Sequence, residues 1–124
     1  MRKMFRAAAA AAVATVAAAV MTVGSTATAQ AADGTPWAGC SYGAACVYPE
    51  NQDPPTTKTH EFVAYGAYNL SNQYGMHWIL NNQYDNGKVD LCYGYNGTNC
   101  FHTLQGGSGI RIDFTPINSV VLRP

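Results

Sequence analysis

The four cysteines are the residues best suited to chemistry, and their spacing indicates crosslinking. Cys40 and Cys46 lie six positions apart, and Cys92 and Cys100 lie eight apart. All four follow an N-terminal segment typical of exported proteins, and thiols form disulfides in an oxidising compartment. Four cysteines allow three pairings, and the spacing alone does not choose among them. The pattern favours a rigid extracellular binding domain over a cytosolic enzyme, because small secreted domains gain stability from such crosslinks.

Other residue types give little support for catalysis. Oxidation of all four cysteines leaves no thiolate nucleophile. The chain has no Gly-x-Ser-x-Gly sequence, and residues 106–109 are typical of a turn rather than of a nucleophile elbow. Asp85 and Asp90 resemble solvated residues at strand ends more than the carboxylate pair of a glycoside hydrolase. We therefore predict that the protein is not an enzyme and has no catalytic residues.

The histidines and the C-terminal polar residues do not form a recognisable metal motif. His60, His77 and His102 lack the HExxH and H-x3-H spacings of zinc sites. Calcium needs several carboxylate oxygens, and residues 115–120 offer hydroxyls and an amide without an acidic pair. We predict neither a metal nor a cofactor.

The first 31 residues have the three parts of a signal peptide. A positively charged start precedes a nearly charge-free run, residues 7–23, and small residues with Ala-x-Ala sequences follow. A membrane anchor is the alternative, but the run is mostly alanine and is poorly hydrophobic for a stable span. We predict that residues 1–31 are a signal peptide cleaved after Ala29 or Ala31. The protein is then secreted and extracellular, with no membrane partner.

Removal of that segment leaves residues 32–124, which we predict to form one domain. Only four basic residues remain against seven acidic residues, which gives a net charge of −3. Binding to nucleic acid or to an anionic membrane depends on clustered Lys and Arg, and none cluster here. Neither partner is expected. The sequence has no sign of a dimer interface, so we expect a monomer.

Apolar residues in the remaining chain repeat with the period of β-strands. The strand-like stretches are residues 45–48, 60–65, 76–80, 88–93, 110–114 and 117–122. Residues 85–87 and 106–109 carry turn signals, and the polar, proline-containing residues 49–58 predict a surface loop. Residues 65–75 are ambiguous and fit one short helical turn. Together these features predict an all-β sandwich or barrel.

The aromatic residues allow two interpretations. Trp78, Phe62 and Phe114 are candidates for the core, since a small sandwich needs bulky filling. A larger set of tyrosines forms a candidate recognition surface: Tyr65, Tyr68, Tyr74, Tyr93 and Tyr95. Tyrosine offers a large contact area at a small entropic cost, and its ring can also stack on sugars.

Four segments combine cysteine, tyrosine, glycine and asparagine in a characteristic arrangement: residues 40–51, 65–75, 91–100 and 115–122. Together they resemble secreted actinobacterial proteins of the Streptomyces metalloproteinase-inhibitor type, over nearly all of residues 32–124. The resemblance implies a βγ-crystallin-like fold, in which two Greek keys pack as a β-sandwich. It also implies the local disulfides Cys40–Cys46 and Cys92–Cys100.

The resemblance further implies a function. The inhibitory member of that family presents its reactive bond directly after the first cysteine of a disulfide-closed loop, which here is Cys92–Tyr93 in the loop that ends at Cys100. The implied reactive-loop residues are Cys92, Tyr93, Gly94 and Tyr95. The implied partner is an extracellular protease, with a thermolysin-like zinc protease suited to the hydrophobic residue after that bond. The alternative is a killer-toxin-like or cell-wall-binding crystallin module that contacts carbohydrate through its tyrosines and inhibits nothing.

Overall fold

A computed structural model of the chain describes residues 27–30 and 34–124. These residues are all-β, and the strands are β1 (Ala27–Gln30), β2 (Ala45–Val47), β3 (His60–Phe62), β4 (Gly66–Asn69), β5 (Met76–Asn81), β6 (Lys88–Cys92), β7 (Cys100–Leu104), β8 (Ser108–Asp113) and β9 (Ser119–Arg123). A single 3-10 turn in the described part, Tyr95–Gly97, connects β6 to β7. Across these residues no helix is long and apolar enough to cross a membrane.

The strands form two antiparallel sheets. The first has the order β1-β8-β5-β2-β3, and the second has the order β4-β9-β6-β7. Strands β2 to β5 contribute three members to the first sheet and β4 to the second. Strands β6 to β9 contribute three members to the second sheet and β8 to the first. The third strand of each half, β4 or β8, therefore lies in the sheet formed mainly by the other half, so neither half forms a complete sheet alone.

The edge strand β1 lies inside the predicted signal peptide. It pairs with β8, with Ala29 opposite Gly109. The remaining parts of that predicted segment, residues 1–26 and 31, lie outside the described residues. Without β1, each sheet has four strands.

The main core lies between the sheets and is built by alternation along the central strands. In the first sheet, Ile79 of β5 lies opposite Val47 of β2 and Ile110 of β8. In the second sheet, Leu91 of β6 lies opposite Val120 of β9. All of these side chains are buried. Burial of a side chain of this size contributes about 1.5–3 kcal/mol, so the central strands hold the fold.

A second buried cluster covers the outer face of the first sheet. Because side chains alternate along β5, Trp78 and Leu80 point away from Ile79 and pack against residues 40–46. The Cys40–Cys46 disulfide is fully buried in this cluster. Its neighbour Tyr48 donates a hydrogen bond from its hydroxyl to Ala38 O over 2.8 Å. Burial, with the charge of Glu61, raises the pKa of Tyr48 to about 12.

Most sequence-based strand predictions are confirmed, and three strands were missed: β1, which lies in the predicted signal peptide, β4 and β7. Residues 65–75, for which a helical turn was the alternative, instead contain β4, and β7 was not predicted. Trp78 and Phe114 are buried as expected, whereas Phe62 is only half-buried and stacks on Tyr68 with ring centroids 4.4 Å apart.

The register of the strands defines two ends of the sandwich. At one end, Asn69 lies opposite Ser119, and Ser119 also lies opposite Cys92. This is the loop end, because the Cys92–Cys100 loop leaves from it. At the opposite end, Ala45 lies opposite both Phe62 and Asn81. Strands of five or six residues separate the ends by roughly 17–20 Å.

Candidate functional site

The Cys92–Cys100 loop closes a hairpin at the loop end. Cys92 is the last residue of β6, Cys100 is the first residue of β7, and the two lie opposite each other. The structure joins them in a disulfide, and it joins Cys40 to Cys46 as well. Both local pairings implied by the resemblance are therefore present, and no cysteine in the described part of the chain is free.

The loop is folded as a compact hairpin tip and is not an extended strand. Tyr93 N donates to Asn99 O over 3.0 Å, and Gly94 N donates to Thr98 O over 2.9 Å. The chain then reverses through the 3-10 turn, where Asn96 has a φ of 58°. Asparagine is among the few non-glycine residues that tolerate this left-handed conformation, which accounts for its place in the turn.

The start of β9 holds the tip from one side. The buried Ser119 hydroxyl accepts a hydrogen bond from Gly97 N over 2.9 Å and donates one to Gly94 O over 2.6 Å. Asn118 donates from Nδ2 to Tyr93 O over 2.8 Å. These bonds satisfy backbone groups across the tip, so its conformation is fixed by the sheet and by the disulfide together.

The end of β4 holds the tip from the other side through a reciprocal pair of hydrogen bonds. Asn96 N donates to Asn69 Oδ1 over 2.7 Å, and Asn69 Nδ2 donates to Asn96 Oδ1 over 3.0 Å. β4 belongs to the first half of the chain, so the tip is anchored by strands from both halves.

The fixed backbone presents aromatic rings and no charge. Residues 93–99 contain no Asp, Glu, Lys or Arg. Tyr93 and Tyr95 are 47% and 54% exposed. The Tyr93 ring lies parallel to that of Phe101, with a centroid distance of 4.2 Å and an interplanar angle of 8°. The tip is thus a neutral aromatic surface, and stacking on Phe101 holds the Tyr93 ring in place.

The implied reactive bond, Cys92–Tyr93, is not presented as a substrate would be. Cys92 is fully buried, and its carbonyl oxygen accepts a hydrogen bond from Asn118 N over 3.0 Å. The amide of Tyr93 donates to Asn99 O. Both polar groups of the peptide bond are occupied, and so are those of Gly94, which leaves the Tyr93 and Tyr95 side chains as the accessible aromatic features of the loop.

An ion pair on the outer face of the second sheet lies next to the hairpin. Arg123 donates to both carboxylate oxygens of Asp90, over 2.7 and 3.2 Å, and Thr103 Oγ1 donates to Asp90 Oδ1 over 2.6 Å. Burial acts to raise the pKa of Asp90, but the hydrogen bonds from Arg123 and Thr103 outweigh it and hold the pKa below its ordinary value. The group links β6, β7 and β9.

The histidines considered for a metal site are dispersed. His77 is buried, with its ring nitrogens facing the carbonyl oxygens of Tyr48 and Tyr74. His60 lies on β3 beside Thr59, and His102 is exposed on β7. The described residues contain no group of three His, Cys, Asp or Glu side chains placed to hold a metal ion.

The predicted tyrosine surface is divided between the two ends of the sandwich. Tyr74, Tyr93 and Tyr95 are exposed at the loop end, and Tyr65 is exposed at the opposite end, next to β4. Tyr68 is half-buried, and its hydroxyl donates to Ala64 O over 2.6 Å. The five tyrosines therefore do not form one surface.

The residues that support the tip were not identified from the sequence. Residues 115–120 were considered as a degenerate calcium motif, and residues 65–75 as a segment shared with the resembled family, without a supporting role for Asn69, Asn118 or Ser119. They lie 22 to 27 positions from the tip atoms that they bind. Only the pairing of the strands brings these residues to the tip.

Searches with the chain found no matching family model, no similar curated protein and no similar solved structure.

Proposed function

We propose that the protein is a secreted protease inhibitor with a crystallin-like fold, and that it binds a metalloprotease through the Cys92–Cys100 tip. The exchange of third strands between the halves is the topology expected of two interlocked Greek keys, and it supports this choice of fold. The two disulfides suit an oxidising extracellular setting.

The observation that carries the proposal is a rigid, neutral tip that presents an aromatic side chain. Ordering a flexible loop on binding costs free energy, and a loop already fixed by Ser119, Asn118 and Asn69 avoids that cost. Exposed tyrosines of this kind are common anchors at the centre of interfaces. In the proposed complex, Tyr93 enters an apolar subsite of the protease and Tyr95 contacts its rim.

Inhibition in this proposal does not depend on cleavage of the Cys92–Tyr93 bond. Because the carbonyl of Cys92 and the amide of Tyr93 are already hydrogen-bonded, a protease has to break both bonds before it can process the peptide. The inhibitor therefore acts by occupying the active-site cleft and remains intact. This distinguishes it from a slowly turned-over substrate.

The test is a titration of the purified mature protein against thermolysin and a panel of other secreted proteases. The proposal expects inhibition at or below micromolar concentration, and Tyr93→Ala weakens it about tenfold or more. Tyr84→Ala, at the opposite end, is the matched control and leaves inhibition unchanged. Mass spectrometry of the recovered inhibitor is expected to find an uncut chain. Absence of inhibition across the panel at micromolar excess would rule the proposal out.

A further inference from the structure

A second aromatic surface lies at the end of the sandwich opposite the Cys92–Cys100 tip, and the proposed inhibition does not involve it. It is a cleft of about 330 Å³ lined by Gly43, Val63, Ala64, Tyr65, Gln83 and Tyr84. Its volume falls at the lower end of the range of about 300–1,000 Å³ that is typical of small-ligand pockets. Tyr42 extends the surface, with its ring centroid 5.5 Å from that of Tyr84. We call this set the tyrosine groove.

The tyrosine groove exposes large aromatic rings. Tyr42, Tyr65 and Tyr84 are 45%, 56% and 52% exposed, and Val63 between them is 64% exposed. Clustered exposure of this kind marks a binding site more often than chance. The three tyrosine hydroxyls make no hydrogen bond to the residues that the structure describes. By contrast, the hydroxyls of Tyr48 and Tyr68 donate to backbone carbonyl oxygens. The groove therefore offers aromatic surface for stacking and hydroxyl groups for hydrogen bonding.

The backbone around the groove is fixed. Gly43 has a φ of 102°, and a Cβ added there would lie 2.8 Å from Cε2 of Tyr84, so only glycine allows this ring position. Gly43 N also donates to Asn82 O over 2.7 Å. On the floor of the groove, the buried Gln83 donates from Nε2 to Asn81 Oδ1 over 2.9 Å. The residues before and after Gly43 are closed into a loop by the Cys40–Cys46 disulfide.

The chemistry of the lining favours a ligand without negative charge that has both apolar and hydroxylated surface. None of the groove residues carries a charge, so a phosphate or a carboxylate group would lose hydration without gaining a counter-charge. Tyrosine rings stack on the C–H faces of pyranose sugars, and their hydroxyls exchange hydrogen bonds with the sugar hydroxyls. A neutral oligosaccharide satisfies both requirements.

We propose that the tyrosine groove binds a neutral oligosaccharide, with Tyr65 and Tyr84 as stacking surfaces and Tyr42 as an additional contact. The site is independent of the Cys92–Cys100 tip, since the two lie at opposite ends of the sheets. A protein with both sites holds a surface polysaccharide at one end and leaves the other end free for a protein partner. Binding at the groove does not require that the tip inhibit any protease.

The test is calorimetric titration of the mature protein with the hexamer of N-acetylglucosamine and, separately, with the hexamer of glucose. Binding of at least one hexamer is expected, and Tyr84→Ala weakens it roughly five- to tenfold. Tyr65→Ala is a second groove variant and gives a similar loss. Tyr95→Ala, at the loop end, is the matched control and leaves the affinity unchanged.

Two outcomes overturn the proposal: no heat with either hexamer, or an equal loss of affinity in Tyr95→Ala and Tyr84→Ala. Circular dichroism of each variant establishes that it is folded. For the wild-type protein, NMR provides a readout that needs no variant. The ring signals of Tyr65 and Tyr84 are expected to shift on addition of the hexamer, while those of Tyr93 stay in place. Shifts confined to Tyr93 contradict the assignment of the site.

Discussion

The two disulfide loops have almost the same length but opposite surroundings. The cysteines are six positions apart in one loop and eight apart in the other. Loop-closure entropy alone gives each crosslink about 2.5 kcal/mol, so the chain-length effect is the same for both. Cys40 and Cys46 are both fully buried, whereas in the other bond Cys92 is buried but Cys100 is exposed at the point where the loop meets the sheet. The first disulfide thus fills part of a core, and the second closes the exposed aromatic tip.

The strongest test of this difference is the double substitution Cys40→Ala with Cys46→Ala. It removes the crosslink and leaves a gap beside Trp78 and Leu80 in the second core cluster. The expected loss in free energy of unfolding is about 4–5 kcal/mol, the entropic term plus a packing term. Urea unfolding measures it. A loss no greater than that of the other disulfide contradicts the assignment of this bond to the core.

The matched change, Cys92→Ala with Cys100→Ala, is expected to cost about 3 kcal/mol, the entropic term plus a small packing term, because only Cys92 of this pair is buried. The hydrogen bonds from Ser119 and Asn69 remain available to the tip. Urea unfolding again gives the loss. In the inhibition assay the same variant is expected to bind more weakly, because the tip is less ordered. Retention of full inhibition implies that the hydrogen bonds alone are sufficient to fix the tip.

Ser119→Ala is expected to cost about 2 kcal/mol, because it leaves Gly97 N and Gly94 O without a partner in a partly buried site. Thr98→Ala is the control. The Thr98 hydroxyl binds Tyr95 O within the same tip but is exposed, so a loss of under about 0.5 kcal/mol is expected. Amide hydrogen exchange at Gly97 should accelerate only in Ser119→Ala. Equal acceleration in both variants would mean that the tip opens independently of β9.

The smallest effect concerns Asp90, whose pKa is lowered in the folded protein. A lowered pKa means that folding favours the carboxylate, so the stabilisation is complete above the ordinary pKa and disappears as the pH falls through the folded value. Asp90→Asn is expected to cost about 1 kcal/mol at pH 7, since Arg123 is partly exposed.

The difference between Asp90→Asn and the wild-type protein should shrink toward zero in acid, below pH 4. Thermal unfolding from pH 7 to pH 2 measures this trend. The exposed Asp85, in the turn at the opposite end, provides the control variant Asp85→Asn, for which little change in stability is expected. A difference that stays constant with pH shows that the aspartate acts through packing instead of charge.

The sequence predicted all of the central strands and the edge strand His60–Phe62, but it missed the other edge strands. Met76–Asn81 and Lys88–Cys92 are central strands, and their buried side chains produce a readable pattern. Cys100–Leu104 is an edge strand with a single buried residue, Leu104, so no alternation marks it. Gly66–Asn69 is also an edge strand and buries little. Such strands are defined by their partners, and local sequence carries little of that information.

The candidate site was predictable only in part: the loop itself was predicted, but the residues that anchor it were not. The Cys92–Cys100 crosslink and the placement of Tyr93 in its loop were implied by the resemblance. The anchoring roles of Asn69, Asn118 and Ser119 depend on the register of β4, β9 and β6, which brings residues distant in the chain to one point. Register follows from the packing of whole sheets. The sequence likewise did not predict that Tyr42 lies next to Tyr84, because this contact also depends on how the strands pair.

The pairing of Ala27–Gln30 with β8 has a consequence for biogenesis. The predicted cleavage after Ala31 would remove this strand, and cleavage after Ala29 would remove most of it. The precursor and the cleaved product would then differ at one edge of the first sheet, because Ser108–Arg111 of β8 would lose the strand with which they pair. The order of cleavage and folding would decide when the edge of β8 first becomes exposed to solvent.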